Sequence, residues 1–224
     1  MKYLDSTPHQ PSESLLLGFL LSCVGGFLDA YTYISRDHVF ANAQTGNIVL
    51  LGINIMHQNW KSASYYLLPI FAFIFGILIV EMIKNHHIQR ESLIHWRQIV
   101  IAIEIIFLLI VAYIPVGPEN AIANVMISFV CSMQVESFRT INGKSTSTTM
   151  CTGNLRNASE QLYYGLRHKE MDSIKKSFHY FFFILSFLFG AIVGSYITLH
   201  FMEKSVLLTC AMLTVAFILM FKKK

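Results

Sequence analysis

Long apolar stretches alternate with short polar or charged breaks along the chain, and the breaks fall at the spacing of membrane spans. Six stretches approach the roughly 20 apolar residues that cross about 30 Å of hydrocarbon: residues 15–34, 65–83, 99–114, 121–141, 178–199 and 206–221. Two interruptions are of another kind. Gln44-Thr45-Gly46-Asn47 stands inside apolar surroundings, and Cys151-Thr152-Gly153-Asn154 repeats it. At the same spacing Asp29 falls on Glu136. After a short slip, Phe73-Ile74-Phe75-Gly76 is echoed by Phe187-Leu188-Phe189-Gly190. Ordered correspondences predict two related halves, 15–114 and 121–221, within one integral membrane domain covering 1–224.

Composition agrees. The chain is 54% hydrophobic and only 13% charged, with a mean hydropathy of +0.51, where globular proteins carry about 25% charged residues. The net charge of +4 sits largely in loops and makes no nucleic-acid face. The expected partners are the lipid bilayer and a small solute or ion, with homo-oligomerisation left open. Residues 1–14 lack a basic region before a cleavage site, so 15–34 is expected to be an uncleaved first span. Cys23, Cys131, Cys151 and Cys210 lie in or beside apolar runs and read as small buried hydrophobes. His86, His87 and His95 have no companion set with metal-ligand spacing. No nucleophile or phosphate-loop motif is present. Neither a cofactor nor an enzymatic activity is expected.

Charge sets the topology. Lys84, Arg90 and Arg97 cluster in one loop, Arg167, Lys169, Lys175 and Lys176 in another, and Lys222-Lys223-Lys224 end the chain, whereas the turn Pro115–Asn120 has no base. Eight crossings would put the first basic loop outside and the uncharged turn inside, against the positive-inside rule. Six crossings put these basic loops and both termini in the cytoplasm. The Thr-Gly-Asn segments then enter and leave on one side. Residues 48–56 reach roughly 13 Å as a helix at ~1.5 Å per residue, about half a bilayer. Residues 155–161 are too polar to face lipid and must be buried or line a cavity. The predicted fold is an all-α, polytopic membrane helix bundle: six full transmembrane spans plus two broken, re-entrant Thr-Gly-Asn elements, arranged as an inverted repeat.

Thr and Asn are good N-cap residues and Gly permits a tight bend, so each Thr-Gly-Asn is expected to start a half-helix whose positive end points at the membrane centre. Gln44, Thr45, Gly46, Asn47, Thr149, Thr152, Gly153 and Asn154 are therefore candidate solute-binding residues. Asp29 follows Gly25-Gly26 within the first span, where an acid is costly and by default functional. Its mate Glu136 has Arg139 at i+3, close enough to pair on one helix face. Glu104, mid-span but without a mate, is the weaker candidate. A purely structural role, in which these polar groups cap one another or join helices, stays open.

The runs Gly25-Gly26-Phe27-Leu28-Asp29-Ala30 and Phe40-Ala41-Asn42-Ala43-Gln44-Thr45-Gly46-Asn47 resemble the signature of the YoaK-like family of bacterial multipass inner-membrane proteins. The second half of that family's pattern has a Gln near the end of a span, then a Thr-rich stretch leading to Thr-Gly-Asn. Gln134, Thr148, Thr149, Thr152, Gly153 and Asn154 fill those places, whereas Val135-Glu136 stands where the pattern has a small or amide pair. The resemblance covers residues 15 to 221 and implies a fold and a membrane location, but no activity. The leading expectation is a transporter for a small solute or ion, with a central polar site and Asp29 as coupling group. A passive channel and a non-transporting scaffold are the alternatives.

Overall fold

The computed structural model describes residues 13–88 and 95–221; Arg90, Lys222-Lys223-Lys224 and nearly all of residues 1–14 lie outside the described residues. The described chain is helical: α1 Leu15–Ser35, α2 Gln44–Met56, α3 Trp60–Ile88, α4 Trp96–Val111, α5 Asn120–Ser137, α6 Cys151–His168, α7 Met171–Phe201 and α8 Leu207–Leu219. A short 3-10 helix, Met202–Val206, joins the last two. Between α5 and α6, β1 (Thr140–Ile141) pairs antiparallel with β2 (Lys144–Ser145). Among the described residues, three stretches are long and apolar enough to cross a membrane: Leu15–Ser35, Trp60–His87 and Met171–Leu219.

Helix ends differ from the predicted runs where a side chain takes over the terminal carbonyls. α4 stops at Val111 rather than running to 114. There the guanidinium of Arg36, fully buried, donates to the carbonyls of Ile114 (2.7 Å) and Pro115 (2.9 Å), to Asn120 Oδ1 (3.0 Å) and to the Tyr31 hydroxyl (2.7 Å). Lys204 Nζ donates to the Ala112 carbonyl at 2.9 Å. Carbonyls freed at a helix C-terminus attract cations in this way. The run at 121–141 likewise breaks at Phe138, which opens the hairpin.

Glycines set how the helices meet. A Cβ on Gly190 of α7 would collide with the Cys23 backbone of α1, and one on Gly26 with the Phe187 carbonyl. Gly194 packs on Phe27, and Gly18 on Phe183. Contacts advance together along both chains, so α1 and α7 are parallel. The other half repeats the device. Gly76 of α3 sits against Phe129 and Ser132 of α5, Phe75 stacks on Phe129 with centroids 6.0 Å apart, and Lys84 shares a cleft with Glu136. In lipid, where apolar burial supplies no drive between helices, such close backbone approach is a main source of association. Three kinds of pairing correspond: α1 on α7 as α5 on α3, α2 on α3 as α6 on α7, α4 on α5 as α8 on α1. α4 runs antiparallel to α5, with Arg97 Nε donating to the Ser137 carbonyl at 2.9 Å and Phe107 packed on Phe129 at 5.1 Å.

Two glycine substitutions separate this packing from helix propensity. Gly190→Ala should cost about 1–3 kcal/mol by overpacking, seen as a lower unfolding midpoint in detergent. Gly52→Ala, whose Cβ meets nothing within 4 Å, should leave the midpoint unchanged or raise it. Equal effects would refute the close-approach account.

Candidate functional site

From Arg36 the chain turns back along α1 and reaches its middle. There the Asn42 backbone N–H donates to Asp29 Oδ1 at 2.9 Å, and Asn42 Nδ2 donates to the Gly25 carbonyl at 3.1 Å. α2 starts immediately afterwards. The connection from the other half arrives at the same place. A Cβ on Gly25 would stand 3.1 Å from the Thr148 carbonyl oxygen and 3.3 Å from Thr149 Cα, so the missing side chain gives that connection its seat. Gln134 Nε2 ties it down, donating to the Leu21 carbonyl and to Thr148 Oγ1, both at 3.1 Å. α6 then starts at Cys151, within electrostatic reach of Asp29. The connections that lead into α2 and α6 thus both rest on the Leu21–Asp29 stretch of α1.

The two Thr-Gly-Asn motifs do matching work, though not as N-caps. Ala43 and Met150 hold the N-cap positions with no side-chain cap bond, so each motif occupies the first turn of its helix. Its Asn reaches back to fasten the incoming chain: Asn47 Nδ2 donates to the Phe40 carbonyl at 2.9 Å, and Asn154 Nδ2 to the Ser147 carbonyl at 2.6 Å. Asn154 Oδ1 also accepts from the Ser147 N–H at 3.2 Å. Such bonds pair backbone carbonyls of the incoming chain that leave regular helix. Gln44 accepts from Asn47 Nδ2 at 2.9 Å and donates to the Ala41 carbonyl. Thr45, Thr152 and Gly153 face outward and exposed, and Gly46 is half-buried beside Phe40.

Asp29, Gln134, Thr149, Asn47 and Asn154 are therefore gathered, buried, around the middle of α1. Glu136 is not among them. It lies at the far end of α5, paired with Arg139 at 3.1 Å, in a cleft lined also by Lys84, Trp96 and Arg97. Two residues that sequence reasoning did not single out are central. Asn42, only 1% exposed, bridges Asp29 and Gly25; its presence in the same polar run was the available signal. Arg36 anchors the end of α1 and reads in sequence as an ordinary loop base.

Three buried oxygens at the junction, Asn42 Oδ1, Asn47 Oδ1 and Thr149 Oγ1, have no hydrogen-bond partner. Unpaired buried polar atoms cost about 1–3 kcal/mol each, and they mark where a hydrogen-bonding solute gains most. Asp29 supplies the one carboxyl group beside them.

Among known proteins the chain is similar to the UPF0700 transmembrane protein YoaK of Bacillus subtilis (strain 168), with 27% identity over 169 residues, 71% of this chain and 70% of the relative. No solved structure matches. Residues 17–219 match the sequence model of the family described as "Protein of unknown function (DUF1275)", and this chain, with its apolar membrane-length helices, belongs to that family.

Proposed function

We propose that the protein is a carrier for a small solute or ion, with its binding site at the junction of α2, α6 and α1 beside Asp29. The observation that carries this reading is the meeting, on one stretch of α1, of the two connections that lead directly into α2 and α6, around buried oxygens that lack donors. Paired half-helices pointing inward are the transporter solution for holding a polar solute at membrane depth. In this reading α1, α3, α4, α5, α7 and α8 cross the bilayer, and α2 and α6 are re-entrant. The matching helix pairs support an inverted repeat of two halves. The end carrying Lys84, Arg97, Arg139 and Lys144 faces the cytoplasm of a bacterial inner membrane, by the positive-inside rule. Burial favours a carrier over a channel: Asn47 is 0%, Gln134 2%, Thr149 3% and Asp29 8% exposed, so the polar centre is closed off rather than part of an open pore.

Asp29 combines two jobs that one substitution separates. Asp29→Asn keeps an acceptor for the Asn42 N–H and removes only the charge; Asp29→Ala removes both. Purified protein in liposomes containing a trapped pH-sensitive dye, challenged with monovalent cations, amino acids and small organic acids, should show saturable, solute-dependent proton movement. Asp29→Asn should fold normally and abolish that movement. Flux linear in solute and indifferent to a proton gradient would make the protein a channel. Unchanged proton-coupled flux in Asp29→Asn would remove Asp29 from coupling.

A further inference from the structure

A second acid lies in the interior, away from the junction. Glu104 stands midway along α4, 2% exposed, and its Oε1 has no hydrogen-bond partner. Two contacts fix the α4–α5 register, Arg97 with the Ser137 carbonyl and Phe107 with Phe129. They set Glu104 level with Cys131. On α8, Cys210 Sγ approaches the Ile105 carbonyl at 4.0 Å, so that helix faces the same height with a thiol. Apart from Cys210, no residue of α8 is ionisable.

The charged groups near α4 are engaged at its ends. Arg97 meets Glu13 at 3.3 Å, and Lys84 of α3 pairs with Glu81 at 3.0 Å. Glu136, the acid within α5, pairs with Arg139. At the opposite end Arg36 and Lys204 hold carbonyl groups, Lys204 also lying 3.7 Å from the Tyr113 ring centroid, and Glu203 sits on the 3-10 helix. Among the described residues no cation stands at the height of Glu104. A carboxylate there, without a partner, costs several kcal/mol, and a leucine or methionine would fill the space without that cost. The neutral acid is the form such surroundings accept, and it carries one O–H donor. Cys131 is within electrostatic reach of both Glu104 and Asp29.

We propose that Glu104 is a second proton-binding site inside the membrane, working with Asp29 to carry the coupling proton. Binding adds one proton to the carboxylate and release restores it, with no other bond changed. The coupling role rests on the carrier reading above; proton binding by Glu104 does not.

The test uses the purified full chain in lipid nanodiscs. Dicyclohexylcarbodiimide, an apolar reagent, modifies carboxyl groups in their protonated form and is read by peptide mass spectrometry. Glu104 should be modified, with yield falling roughly tenfold for each pH unit above its titration midpoint. In parallel, the infrared carboxylic C=O band should titrate over the same range. Glu104→Gln should fold with an unchanged or higher unfolding midpoint, lose the adduct and lose the Glu104 part of the band, while Asp29→Asn keeps both. A wild-type protein with neither a pH-dependent adduct nor an infrared band assignable to Glu104 would overturn the proposal. If Glu104 titrates but liposomes show no solute-dependent proton movement, the proton site stands and the carrier reading falls.

Discussion

Buried backbone that leaves a helix must find its hydrogen-bond partners within the protein, and the polar junction answers that requirement. The chain abandons α1 at Arg36, returns to its middle, and is caught by Asp29 Oδ1 and the Gly25 carbonyl through Asn42. Without that catch, the turn before α2 would bury an unpaired N–H at a cost of about 1–3 kcal/mol. The second connection is caught on the neighbouring turns by Gln134, Thr148 and the bare surface of Gly25. Both polar connections therefore lean on one helix face.

That arrangement needs α1 to be held firmly, and glycine contact supplies the hold. α1 and α7 approach until the Gly26 and Gly190 backbones touch their partners, as Gly76 touches α5 in the other half. Arg36 then fixes the end of α1 to the α4–α5 turn through the carbonyls of Ile114 and Pro115. A buried guanidinium satisfied mostly by carbonyl dipoles and a phenol also completes the C-terminus of α4. The constraint on α1 thus extends through packing to α4, where Glu104 lies.

Much of this was legible in the sequence because like motifs do like jobs. Asn47 and Asn154, matched by motif, make the same bond to the carbonyl seven residues before. Gly76 and Gly190, matched by the Phe-x-Phe-Gly echo, make the same kind of close contact. What spacing could not give was depth. Asp29 and Glu136 lie equally far from their motifs, yet the connection in the second half contains the β1–β2 hairpin, so Glu136 falls at the end of α5 and pairs with Arg139. Gln134 contacts the junction instead. The N-cap role expected of Thr and Asn also failed, because each helix begins before its motif and frees the Asn side chain to reach backward. Asn42 and Arg36 were illegible for a related reason: their importance comes from partners far along the chain.

A carrier of this design requires α2 and α6 to leave the same buried junction toward opposite membrane faces, since only then do the halves form a site reachable alternately from each side. Cysteine introduced at Lys61, beyond α2, and at Lys175, beyond α6, both exposed positions, can be labelled in sealed, oriented vesicles with a membrane-impermeant maleimide. Labelling of one position from outside and of the other only after the vesicles are opened is the predicted result. Labelling of both from the same side would contradict the inverted arrangement and the carrier built on it.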